Sequence, residues 1–413
     1  MKKNIIVGQS GGPTAVINAS LYGVIAEGKR HGDEIGCVYG MLNGIEGFMQ
    51  DRYMNLSQEL TDEELEILKL TPAAYLGSCR YKLPEDLSSG FYPMIFQKLK
   101  QMNIGYFFYI GGNDSMDTVS KLSRYGASTG SDIRFIGIPK TVDNDLVGTD
   151  HTPGYASAAR YVAASVREIV LDASVYQQKA VTIVEIMGRH AGWLTAAAAL
   201  ARKEAGDNPL LIYLPEYDFD LEQFAQDVKA ALDRQPSVVV CVSEGISDRD
   251  GKFICEYDNA AQTDSFGHKM LTGSGKVLEA FIRNRYGVKV RSVELNVSQR
   301  CSGMLASAAD VSEAARAGEA GVKAALRGET GKMIAFLRKD SPVYELEYVP
   351  QDVNAICNKE KKFPAEWITD HGRDVSGEFL AYVLPLIQGE VERKMENGLP
   401  VYLYQRDGRP VRG

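Results

Sequence analysis

Lys140, Thr141, Asp143 and Asp145 stand together in Pro139-Lys140-Thr141-Val142-Asp143-Asn144-Asp145, directly after an apolar run, Phe135-Ile136-Gly137-Ile138, that reads as a buried strand. A cation there can neutralise a departing phosphate, one carboxylate can take the proton of an attacking hydroxyl, and the other can hold a metal ion. An isolated Asp-Asn-Asp is more often a turn whose side chains cap their own backbone. Lys140 and Thr141 just before it, at a strand's carboxyl end, shift the balance toward chemistry. A second apolar run, Tyr106-Phe107-Phe108-Tyr109-Ile110, leads into Gly111-Gly112-Asn113-Asp114-Ser115. Glycines at such a turn let backbone N–H groups approach an anion, and a helix starting at Asp114 or Ser115 would aim its partly positive end at it. The two strand ends together read as a phosphoryl-transfer site.

The theme recurs at other strand ends. Gly8-Gln9-Ser10-Gly11-Gly12-Pro13-Thr14 follows the first apolar run. It has neither the Gly-Lys-Ser/Thr of a Walker A loop nor the spacing of a dinucleotide fingerprint, so it gains weight only beside the second glycine turn. Met187-Gly188-Arg189 puts a cation after Val184-Glu185-Ile186; a surface ion pair is the ordinary role of a lone arginine, a phosphate in a cleft the functional one. Glu244, after the run Val238–Val242, suits sugar hydroxyls or, equally, a turn cap. Arg291 and Arg300 could grip a second phosphate through paired guanidinium hydrogen bonds, with a solvated face as the alternative. Arg80, in Gly77-Ser78-Cys79-Arg80-Tyr81-Lys82, is a further cation of open aim.

Positioning these residues requires short strands alternating with amphipathic helices. Strands are expected at Lys3–Val7, Gly105–Ile110, Arg134–Ile138, Val181–Ile186, Leu210–Leu214, Val238–Val242, Val290–Leu295 and Met333–Leu337, with helices such as Ala15–Arg30, Met116–Tyr125, Gly192–Lys203 and Ser307–Leu326 between them. The alternation implies an α/β fold of mainly parallel sheets, with ligands at the carboxyl ends of strands. So many strands suggest two lobes with a cleft between them, over residues 1–150 and 151–340. A C-terminal appendage over 341–413, with the charged run Lys359-Glu360-Lys361-Lys362 and a helix near Val375–Lys394, would pack on the lobes without chemistry of its own. With 413 residues, 45% of them hydrophobic, the chain can fill such cores. A formal charge of -8 disfavours a nucleic-acid or anionic-membrane surface. No apolar stretch approaches the ~18 residues that cross a bilayer, and the start reads as a strand rather than a signal peptide. The six scattered cysteines read as reduced thiols of a cytoplasmic protein, and the five dispersed histidines suggest no metal cluster.

Taken in order, Gly11-Gly12, Gly111–Ser115, Pro139–Asp145, Met187–Arg189, Ser243–Gly245 and Gln299-Arg300 resemble the phosphofructokinase family over about three quarters of the chain. The resemblance implies two Rossmann-like lobes, Mg²⁺, and phosphoryl transfer to the 1-hydroxyl of fructose 6-phosphate. The first lobe would bind the donor and the second the sugar phosphate. Asp143 would accept the proton, with Lys140, Asp114 and Arg189 in the catalytic set. Thr141, Asp143, Met187, Gly188, Arg189, Glu244 and Arg300 would hold the sugar phosphate, and Arg291 would reach it from a neighbouring subunit of a homodimer or homotetramer. Gly11, Gly12, Arg80 and Gly112 would lie at the donor, and Asn113 and Asp145 at the metal. ATP-using members typically carry glycine at the positions of Asp114 and Lys140. A carboxylate at 114 opposes a nucleotide's α-phosphate by clash and charge, and Lys140 neutralises the phosphate leaving a short donor. The chain thus resembles the pyrophosphate-dependent branch. The alternatives are an ATP donor, sedoheptulose 7-phosphate as acceptor, or a binding protein that kept the fold without turnover. Val297 stands where the family has a ring-bearing residue, and Tyr22 and Ala26 stand where regulated members carry effector-binding arginines.

Overall fold

The eight expected strands, with three that the sequence did not suggest (Ile35–Met41, Tyr53–Asn55 and Leu346–Asp352), pair into two sheets in the computed structural model, which describes residues 2–204, 206–257, 273–406 and 409–412. In chain order they are β1 (Lys3–Gln9), β2 (Ile35–Met41), β3 (Tyr53–Asn55), β4 (Ile104–Gly111), β5 (Arg134–Pro139), β6 (Ala180–Ile186), β7 (Leu211–Tyr213), β8 (Ser237–Ser243), β9 (Lys289–Glu294), β10 (Lys332–Arg338) and β11 (Leu346–Asp352). One sheet has the order β11-β10-β5-β4-β1-β2-β3, the other β7-β8-β6-β9. Pairing is parallel except at the edges of the larger sheet, where β10 with β11 and β2 with β3 run antiparallel.

The register brings the glycine turns side by side. Gln9 is paired with Ile110, and Gly111 with Pro139, so β1, β4 and β5 end level with one another. In the smaller sheet Ile186 is opposite Ser243 and Glu185 opposite Glu294, which levels the ends of β6, β8 and β9. Alternate residues fill opposite faces, as the two-residue period of a strand requires. Ile5, Val7, Phe108 and Ile110 pack on one face of the larger sheet, while Ile6, Phe107 and Tyr109 pack on the other.

Three expectations change. The strand grouped by chain order with the second lobe, β10, joins the first sheet, where Lys332 and Met333 pair with Ile136 and Gly137. The preceding helix, Ala308–Leu326, packs against Ile17–Arg30 and so returns the chain there. The helix expected over Gly192–Lys203 is a single turn, Trp193–Ala196, continued as a tighter 3-10 stretch, Ala197–Ala201, in an alanine run buried on almost every side. Near the C-terminus the helix Gly377–Val383 passes into a 3-10 turn, Leu384–Ile387, that contains Pro385 and ends before Gly389 at a φ of 84°; proline and a left-handed glycine both stop an α-helix. The C-terminal residues Phe363, Phe379, Val383 and Leu386 share a core with Trp193 and the smaller sheet. Among the described residues, no helix is long and apolar enough to cross a membrane, and all six cysteines are unpaired.

Candidate active site

The level ends of β1, β4 and β5 surround a cavity of about 970 Å³ lined by Gly11, Gly12, Arg80, Gly112, Asn113 and Asp114 on one side and by Lys140, Thr141, Asp143 and Asp145 on another. The helix Asn113–Ser128 starts at its wall, one or two residues earlier than expected, and no side chain caps its start, so its positive end faces an incoming anion. Gly111 is required by close packing: a Cβ there would lie 1.8 Å from Ser115 Oγ. Gly112 has ordinary space around it and leaves the wall open toward Lys140 and Thr141. Lys140 is buried, its N–H donates to Gly111 O at 3.0 Å and its Nζ to Gly12 O at 2.6 Å. It thereby ties the three strand ends together.

Burial dominates the electrostatics. It pushes Lys140 down to about 8, against the pull of Asp143 and Asp145. It raises Asp143 above the usual carboxylate range, opposed by Lys140, Thr141, Arg300 and Arg189. Asp145 is pushed up to about 7, by burial first and then by the charge of Asp143. Thr141 accepts the Asp143 N–H at 3.1 Å and donates to Asp143 Oδ2 at 3.4 Å, which fixes that carboxylate. A carboxylate raised toward neutrality and held in place is suited to accept a hydroxyl proton.

Across the cleft, Glu244 N–H donates to Ile186 O at 2.8 Å, and Gly188 N–H donates to Glu244 Oε1 at 3.3 Å. Burial pushes Glu244 up to about 7. Gly245 is forced by contact, since a Cβ would stand 2.0 Å from Arg189 O. Met187 N–H is held by Gln299 Oε1 at 3.2 Å. Arg300 faces the glycine turn after β1, its Nη1 lying 3.4 Å from where a Cβ on Gly12 would be. Arg189 and Arg300 both lie close enough to oppose the raised pKa of Asp143.

The structure therefore gathers Gly11, Gly12, Arg80, Gly112, Asn113 and Asp114 with Lys140, Thr141, Asp143 and Asp145 in one cavity, with Arg189, Arg300 and Glu244 beside it. Arg291 does not join them. It lies exposed on the outer side of β9, with Nη1 3.7 Å from Asp172. Asp114 is exposed at the cavity wall, its carboxylate 3.6 Å from Lys82 Nζ. Among the lining residues that escaped sequence reasoning are Asn358 and Glu360, from the C-terminal segment expected to carry no chemistry. A charged run more than 200 residues from the turn it meets gives no local signal; long-range contacts, among them the antiparallel bridge of Glu360 with Leu146, bring it there. Ser10 and Ser115 were missed as well, being neutral members of the glycine turns.

Asn113 Oδ1 is buried without a hydrogen-bond partner, and Asp145 lines the same cavity. An unpartnered amide oxygen beside a carboxylate fits a hard divalent cation whose other ligands are water and phosphate oxygens. Among the described residues no cluster of three or more His, Cys, Asp or Glu could hold a metal unaided.

An α/β fold whose glycine-rich strand ends open on a cavity holding a buried lysine, Lys140, and two carboxylates, Asp143 and Asp145, has the makings of a phosphate-handling site. Residues 4–325 match the family described as Phosphofructokinase, and the chain belongs to it. Over 400 residues it is 40% identical to the pyrophosphate–fructose 6-phosphate 1-phosphotransferase of Halomonas elongata, covering 96% of this chain and 94% of that protein. It superposes on the pyrophosphate-dependent phosphofructokinase of Nitrosospira multiformis with a TM-score of 0.87 at 35% identity, covering 97% of this chain and 95% of that one. The corresponding enzyme of Marinobacter aquaeolei gives the same TM-score and coverage at 36% identity.

Proposed function

We propose that the enzyme transfers a phosphoryl group reversibly from pyrophosphate to the 1-hydroxyl of fructose 6-phosphate, giving fructose 1,6-bisphosphate and phosphate, a step of glycolysis. The observation that carries the donor choice is the pairing of a buried Lys140 at the floor of the cavity with Asp114 at its wall. The cavity has room for more than pyrophosphate, so charge rather than volume selects the short donor: Asp114 and Glu360 both line it, and each repels a nucleotide's α-phosphate.

In the forward step Asp143 takes the proton of the 1-hydroxyl as that oxygen bonds to the terminal phosphorus. The bridging P–O bond breaks, and the bond's electrons leave on phosphate beside Lys140 and the start of the helix Asn113–Ser128. Mg²⁺ would be held through Asn113 and Asp145 together with the donor, where it supplies charge neutralisation of the pyrophosphate. Thr141, Met187, Gly188, Arg189, Glu244 and Arg300 orient the sugar phosphate. The donor belongs to the lobe begun by residues 1–150 and the sugar to that of 151–340. Arg291, exposed on β9, suits a reach into a neighbouring copy in a cytoplasmic homodimer or homotetramer. Tyr22 donates to Glu66 at 2.6 Å, an acidic neighbour that disfavours an anionic effector, so ADP and phosphoenolpyruvate should leave the rate unchanged.

The deciding experiment supplies fructose 6-phosphate and Mg²⁺ with pyrophosphate or ATP as sole donor, and repeats it with sedoheptulose 7-phosphate. Fructose 1,6-bisphosphate from pyrophosphate alone is expected. Turnover with ATP alone would remove Asp114 and Lys140 as selectors, and a preference for the longer sugar would change the acceptor.

A further inference from the structure

We infer that Lys361, on the C-terminal segment, is a positioning residue that sets the Asp143-Asn144-Asp145 turn from behind. The inference rests on the phosphotransfer reading above. Asn144 has a φ of 54°, a left-handed backbone that costs a non-glycine residue free energy, asparagine least among them. With that geometry both Asp143 and Asp145 line the cavity while the Asn144 side chain is fully buried in the protein. Something must hold the turn there.

The partners of Asn144 identify what does. Its Oδ1 accepts the Thr152 N–H at 3.1 Å and lies 3.5 Å from Lys361 Nζ, and its Nδ2 donates to Tyr382 Oη at 3.1 Å. The Lys361 ammonium also donates to Asp150 O at 2.7 Å and Thr149 O at 3.2 Å, so its three protons meet three acceptors. Its backbone N–H donates to Asp145 O at 2.7 Å. Its carbonyl accepts Trp193 Nε1–H at 3.2 Å, and its Nζ sits 4.8 Å from the Trp193 ring centre. One residue thus joins the carboxylate-bearing turn, the chain that follows it and the core of the second lobe. The same segment reaches the donor helix through Asn358, whose Nδ2 donates to Asp117 Oδ1 at 3.2 Å.

A packing anchor and a positioning residue differ in what they change. Loss of an anchor lowers the melting temperature and leaves the kcat of folded enzyme alone. Loss of positioning lowers kcat while both KM values hold, because a displacement of about 1 Å in a reacting group can cost about a hundredfold. In the full-length enzyme with pyrophosphate, fructose 6-phosphate and Mg²⁺, Lys361→Met should reduce kcat about ten- to a hundredfold, with each KM within about threefold of wild type. Trp193 and Trp367, the chain's two tryptophans, both lie in this aromatic cluster, so the emission maximum should shift as well. Tyr382→Phe removes only the hydroxyl that receives Asn144 and should lower kcat about three- to tenfold. An unchanged kcat in folded Lys361→Met, or a rise in KM alone, overturns the inference. If that variant does not fold, Tyr382→Phe decides by the same criterion. A wild-type enzyme inactive with pyrophosphate would instead overturn the functional reading and this inference with it.

Discussion

The carboxyl ends of the larger sheet surround a cavity of about 970 Å³, whereas those of the smaller sheet, where Met187, Glu244 and Gln299 meet, enclose about 10 Å³. The open side is built from glycine turns, a helix start and a buried lysine. All of these favour negative charge and need no rearrangement to receive it. The closed side holds Glu185 and Glu244, each pushed by burial up to about 7. Glu185 is committed to the backbone N–H groups of Gly273 and Gly275, at 3.0 and 2.6 Å. The proposed donor side is thus complementary to an anion in charge, while the proposed acceptor side is shaped by buried carboxylates and close backbone contacts. Changes at the donor should act through charge, and changes at the acceptor through shape.

The largest effect is expected where the two sides meet. Asp143→Ala should lower kcat by at least ~10²-fold, as loss of a general base does, with the fold retained. Thermal melting and single-turnover rates would check this together, and near-wild-type turnover in a folded variant would leave the proton without its acceptor. The next change separates the sides by shape. Gly245→Ala places a Cβ 2.0 Å from Arg189 O, so backbone must move on the acceptor side alone. The KM for fructose 6-phosphate should rise about tenfold while that for pyrophosphate stays within about twofold. Equal shifts in both would mean that the two sides are mechanically one.

Charge gives the converse test. Lys140, pushed down to about 8 by burial, is protonated below that pH and loses its charge above it. The kcat/KM for pyrophosphate reports the free enzyme and should fall on the alkaline side of about pH 8, approaching tenfold per unit. With pyrophosphate saturating, the bound anion holds the proton on Lys140, and the alkaline limb of kcat/KM for fructose 6-phosphate should move to higher pH. Coincident limbs would show that the donor does not sit on Lys140.

The same contrast explains what was legible in the sequence. Strand ends announce themselves through β-branched and aromatic runs that stop at glycine, so the donor turns and the strands beneath them could be read directly. Gly111 and Lys140 sit where local pattern placed them because parallel register levels their strands. The acceptor side and the back of the turn depend on contacts between distant residues, and no local pattern encodes those. Lys361 reads as one of four charges in a row, and its neighbours in sequence give no sign that its ammonium will be matched by three acceptors from 144–150. Nor does the sequence around β10 reveal that it belongs with the first sheet, because sheet membership was set by the packing of the helix before it.

The smallest effect on turnover should come from His151, which lies behind both sides and lines neither cavity. Its Nδ1 is 2.8 Å from Asp150 Oδ1 and its Nε2 is 2.8 Å from Glu313 Oε2, and the ring is fully buried. Burial opposes its charge, but Asp150 and Glu313 outweigh that and raise it to about 9 from 6.5. A folded pKa above the unfolded value means that the stabilisation is complete below pH 6.5 and is lost as pH rises through about 9. The shift corresponds to an order of ~3 kcal/mol. His151→Gln should therefore lower the urea midpoint clearly at pH 6 and hardly at pH 10, where the wild-type ring is itself neutral. Folded variant should keep kcat at pH 7.5 within about twofold, since a change shared by both sides alters neither charge nor fit in the cleft. A stability gap equal at the two pH values would mean a neutral imidazole, and a large loss of kcat would tie the frame behind the cleft to the chemistry in front of it.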